Sequence, residues 1–67
     1  MKMQELLKGV LKDIESTQVI IRDIEDQMRR TRNTAKFLAL QERLRVATDM
    51  LEELHRQSAE IQNYLRK

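Results

Sequence analysis

Apolar residues recur along this chain with a seven-residue period that runs in two separate phases. In the first half Leu7, Ile14, Ile21 and Met28 form one series, and Met3, Val10, Thr17, Ile24 and Thr31 fill the alternate position. In the second half Phe37, Leu44, Leu51, Ser58 and Leu65 form one series, with Leu40, Ala47, Leu54 and Ile61 as its companion. These are the a and d positions of two heptad runs, the pattern of helices that meet along a seam. Continuing the first phase leads to residue 35, whereas the second begins at Phe37. A two-residue slip is not one of the usual coiled-coil discontinuities, which insert three or four residues.

Between the runs lies Thr31-Arg32-Asn33-Thr34, the most loop-like stretch, where Asn33 or Thr34 offers a side-chain oxygen to cap a second helix. The expectation is therefore helix one at about 2–31, a turn at about 32–34 and helix two at about 35–66. Position arithmetic supports folding back. The layers Met3/Leu65, Leu7/Ile61, Val10/Ser58, Ile14/Leu54, Thr17/Leu51, Ile21/Ala47, Ile24/Leu44, Met28/Leu40 and Thr31/Phe37 all sum to 68. Each small or polar seam residue meets a larger partner, as interdigitated packing requires. One straight helix of about 100 Å would leave both the slip and this pairing without a cause. The fold class expected is all-α, an antiparallel two-helix hairpin forming a single domain, completed by dimerisation or by a helical partner.

Composition sharpens that last point. A 67-residue chain without cysteine has no disulfide to staple a small core, and one histidine leaves too few ligands for structural zinc. Association is the remaining source of stability. The chain carries 13 basic and 11 acidic residues, and a net charge of +2 is too small to argue for nucleic-acid binding. The longest apolar runs, Val19-Ile20-Ile21 and Phe37-Leu38-Ala39-Leu40, fall well short of the roughly 20 residues that span a bilayer. The first residues lack the apolar stretch and cleavage site of a signal peptide, so the cytoplasm is expected and no membrane partner.

Function is read from apolar residues that the seam does not use. One flank carries Leu6 near Tyr64 and Ile20 near Met50, with Val46 one turn before Met50. The opposite flank is wet, with Gln4, Gln18, Glu25, Gln41, Thr48, His55 and Gln62, and Leu11 as its one large apolar member. Leu6, Ile20, Val46, Met50 and Tyr64 are the candidate partner-binding residues, on one broad apolar face that two helices alone cannot cover. Either a different protein or a second copy, closing a four-helix bundle with a scaffold or regulatory role, would cover it. Val19 and Leu38 lie further round and have no assignment.

Chemistry is not expected. Asp13, Glu15, Asp23, Glu25 and Asp26 mostly lie on the outer surface of helix one, with no pocket to raise a pKa. His55 has no nucleophile of recognisable pattern beside it, and no glycine-rich phosphate loop exists. No catalytic residue, cofactor or metal follows, and the chain reads as a non-enzyme. Glu25–Arg29, Asp26–Arg30 and Glu52–Arg56 are expected as i,i+4 ion pairs. The lone Gly9 falls on the outer face, marking either a frayed first turn or a close approach to a partner. From Gln27 to Gln41 there is no acid, but Arg29, Arg30, Arg32 and Lys36 are present. The arginines suit the helix macrodipole; Lys36 is not explained that way. This basic turn is a candidate contact for an acidic partner. A third reading, a nucleic-acid accessory protein, is disfavoured because stacking aromatics are missing apart from Phe37, which the seam uses.

The segment Ile24-Glu-Asp-Gln-Met28-Arg-Arg-Thr-Arg-Asn-Thr-Ala-Lys-Phe37-Leu-Ala-Leu-Gln41-Glu-Arg-Leu44, and helix two beyond it, resembles the small YscE/PscE-type proteins of bacterial type III secretion. Phe37 and Gln41 occupy places comparable to the aromatic after the turn and the glutamine of the second helix in that family. The resemblance implies a cytoplasmic co-chaperone that binds a larger helical-repeat chaperone and, with it, keeps the needle subunit from polymerising early.

Overall fold

The computed structural model describes residues 2–66. Helix α1 spans Met3–Arg30 and helix α2 spans Thr34–Arg66, joined by Thr31, Arg32 and Asn33. The chain doubles back. Its long dimension is 51 Å, about half the length of a continuous helix of this size.

The connection is made by capping. Thr31 leaves α1 at φ −80°, ψ 141° while its N–H still donates to the Gln27 carbonyl at 3.0 Å. Asn33 then starts α2. Its carbonyl accepts from the Phe37 N–H at 2.9 Å, and its Oδ1 accepts from the Lys36 N–H at 3.1 Å. Between the two cap candidates the structure selects Asn33, because Thr34 already lies inside the helix. No described residue adopts a positive φ, so this turn does not depend on glycine.

The seam follows the sum-of-68 register in composition. Val10, Ile14 and Ile61 form one buried cluster, with Met3, Leu7, Leu51 and Leu54 against it. Ile24, Leu40 and Ala47 form the other, with Ile21, Met28 and Leu44 around them. Thr17 and Ser58 are buried polar members of the same seam. The Thr17 hydroxyl donates to the Asp13 carbonyl at 2.7 Å, and the Ser58 hydroxyl accepts from the Gln62 amide at 3.2 Å, so neither oxygen is orphaned.

The end layers are looser than the periodicity implies. Phe37 and Leu65 belong to the seam by spacing yet stay 38% and 41% exposed, because no further layer closes over them. Among the described residues no side chain is completely enclosed. A two-helix seam has only one partner to press against, and that is the physical limit reached here.

Candidate protein-docking face

Ile20, Val46 and Met50 come together. They line one shallow open groove of about 260 Å³ whose floor is Thr17, Ile24 and Ala47 and whose rim includes Glu42 and Arg43. The three apolar side chains are roughly half exposed, at 51%, 54% and 57%. Helical spacing explains the arrangement. Ile20 and Met50 flank the seam within two residues of the same level, and Val46 lies one turn from Met50 on the same side of α2.

Leu6 and Tyr64 are exposed too, but they lie near the termini and do not line this groove. Met50 and Tyr64 are 14 residues apart, about 21 Å along a helix. Asp13 and Gln57, both exposed, occupy the intervening level of the same flank. The single broad apolar face expected from Leu6, Ile20, Val46, Met50 and Tyr64 is thus a central patch and a separate terminal patch. The heptad positions of Asp13 and Gln57 already contain that signal.

The basic turn also divides. Arg30, Arg32 and Lys36 line a groove of about 520 Å³ with Gln27, Asn33 and Leu40. Arg29 instead lies with Glu25, Met28, Phe37 and Leu44 on the other side of the hairpin. Asp26 collects both arginines of the last turn, Arg30 at 2.7 Å and Arg29 at 3.7 Å. Of the expected ion pairs only Asp26–Arg30 forms. Arg29 takes Asp26 instead of Glu25, and Arg56 takes Glu53 instead of Glu52. In both cases the i,i+3 carboxylate lies within reach of the guanidinium.

Arg45 bridges Glu42 and Asp49 on the outer face of α2. Hydrogen bonds from Arg45 and Arg56 hold the Glu42 and Glu53 carboxyls below the usual glutamate range. These carboxylates serve arginines along their own helix and are fully ionised at neutral pH, which is the opposite of what a general acid requires. Among the described residues, no group of three metal-ligating side chains converges. His55 is exposed on the polar flank. Leu11, Val19 and Leu38 are also exposed, outside the central groove. No described helix is long and apolar enough to cross a membrane.

No protein-family model matches this chain, and neither a curated protein nor a solved structure matches it significantly.

Proposed function

We propose that the protein is a binding module that presents the Ile20–Val46–Met50 patch to another protein. The observation that carries this reading is the contrast in exposure. Ile24 and Leu40 in the seam are 4% exposed, while Ile20, one turn from Ile24, and Met50 are more than half exposed. Apolar groups grouped around an open groove are stabilised by covering them, and for side chains already half buried the gain is about half of the 1.5–3 kcal/mol for full burial, before the costs of association. The Arg30–Arg32–Lys36 groove, which follows the patch toward the turn, adds a site for acidic side chains on the same partner.

Within this proposal, the YscE/PscE-type resemblance narrows the partner to a helical-repeat chaperone and the role to a cytoplasmic co-chaperone of a type III secretion needle subunit. Capture experiments test both levels. Ile20→Asp and Met50→Asp should each remove partner binding while circular dichroism still reports a folded hairpin. Retention of binding by both variants would reject the face. Identification of the captured protein by mass spectrometry as something other than a helical-repeat chaperone would reject the narrower role.

A further inference from the structure

We infer that, when no other protein occupies it, the Ile20–Val46–Met50 flank is covered by a second copy of this chain, stacked antiparallel about a two-fold axis level with Ile20 and Thr48. The inference rests on reading this flank as a docking face and names one occupant for it. Its source is the distribution of charge on either side of the patch.

On α2 the flank reads, from the turn outward, Lys36, Ala39, Arg43, Val46, Met50, Glu53, Glu60 and Tyr64 at its charged and apolar positions. Basic residues precede the apolar centre and acidic residues follow it. An axis at the level of Thr48 places Val46 on Met50, Arg43 on Glu53 and Lys36 on Glu60 of the second copy, since each pair of numbers sums to 96. The seam register puts Ile20 level with Thr48, so Ile20 lies at the axis and meets its own counterpart. A two-fold contact must be self-complementary, and this strip is. A parallel stack would instead bring the two basic turns, with Arg30, Arg32 and Lys36 of each copy, together, and is disfavoured.

Three further observations fit. Lys36, Arg43 and Glu60 make no ion pair within 4 Å in the hairpin among the described residues, and only Glu60 feels a longer-range attraction, to Arg56, so all three can pair across an interface. The midpoint of α2, Thr34–Arg66, is Met50, only two residues from the axis, so the copies overlap along nearly their whole length. The hairpin is 51 Å long and 16 Å wide, so an interface of standard size, about 800 Å² per copy, would take up nearly the whole of one face.

Charge exchange in the full-length chain tests the geometry, with sedimentation equilibrium as the readout and circular dichroism as the check of folding. Wild type should sediment as a dimer. Arg43→Glu and Glu53→Arg should each weaken it by about tenfold or more, because each creates two like-charge contacts per dimer. Mixing those two variants should restore a heterodimer. The introduced glutamate of one copy then faces the introduced arginine of the other, and the unchanged Glu53 and Arg43 face each other at the second contact. Lys36→Glu mixed with Glu60→Lys is a second exchange that leaves the Glu53–Arg56 ion pair in place.

A wild type that stays monomeric at millimolar concentration would overturn the inference. So would a dimer that neither exchange weakens, or one that mixing fails to restore. These failures remain distinguishable from failure of the docking face itself. In that case Ile20→Asp and Met50→Asp would leave both self-association and partner capture intact.

Discussion

Ile24 and Ile20 are one helical turn apart on α1, chemically identical, and differently employed. Ile24 is 4% exposed between Leu40, Ala47 and their neighbours, whereas Ile20 is 51% exposed on the rim of an open groove. The comparison separates two demands that a small helical protein places on the same side chain. Seam residues hold the hairpin shut; flank residues leave it unfinished. A core of this size supplies only about 3–5 kcal/mol, so apolar side chains withheld from it are a considerable sacrifice of stability. Their retention at the surface makes sense if they are buried in an assembly.

The same charge placed at Ile24 and at Ile20 should have very different effects. Ile24→Asp buries an unpaired carboxylate and leaves a cavity, at about 3 kcal/mol or more, which consumes most or all of the stability expected for this core. Loss of the helical circular dichroism signal at 25 °C is expected. Ile20→Asp should cost the isolated hairpin only about 1 kcal/mol from helix propensity and lost partial burial. A folded Ile24→Asp variant would mean that the seam is not what holds the two helices together.

The turn supplies a second contrast, between the residue that caps α2 and the one that follows it. Asn33→Ala removes the acceptor of the Lys36 N–H and should lower stability by about 1 kcal/mol, with Asn33→Gly losing only a few tenths. Thr34→Ala should leave the cap intact, because Thr34 makes no capping bond of its own. Thermal melts of the three variants rank the two positions directly.

Gly9 tests the outer surface. A Cβ built there meets nothing within 4 Å, and the residue lies inside regular helix at negative φ. Gly9→Ala should therefore raise stability by about 1 kcal/mol through helix propensity. If Gly9 serves as a close-approach point for a partner, the same variant gains stability and loses binding. Measured together, the two quantities separate a residue tolerated in α1 from one that is used.

Much of the hairpin is legible in the residue pattern, because a period of seven, a phase slip and a constant-sum register are global features that survive local variation. Ile14, Ile24, Leu40 and Ile61 fall in the seam on those grounds alone, and all are buried. Local choices are not legible. Whether Arg56 reaches Glu52 or Glu53 depends on side-chain rotamers, for which spacing allows both answers. The openness of Phe37 depends on its layer being the last, an end effect that periodicity does not encode. The candidate face is half legible: the flank of Ile20, Val46 and Met50 follows from the heptads, but its division from Leu6 and Tyr64 requires giving Asp13 and Gln57 equal weight.

Acid provides the smallest effect and the finest distinction between ion pairs within α2 and charge pairs across an interface. Glu42 and Glu53 have pKa values lowered in the folded helix by Arg45 and Arg56. A carboxyl shifted down on folding contributes stability above its unfolded pKa and loses it as pH falls through the lowered folded value. Both groups are at the surface, so water and salt screen the contribution and the expected change in helicity is slight. In the Ile20→Asp variant, for which no self-association is expected, that loss on acidification should be independent of protein concentration and disappear in Glu42→Gln/Glu53→Gln. If a second copy covers the flank in the wild type, protonating Glu53 also withdraws a carboxylate from that copy's Arg43 position, so the loss should grow on dilution. An acid transition that is the same at every concentration in both proteins would assign Glu53 to its own helix alone and return Arg43 to solvent.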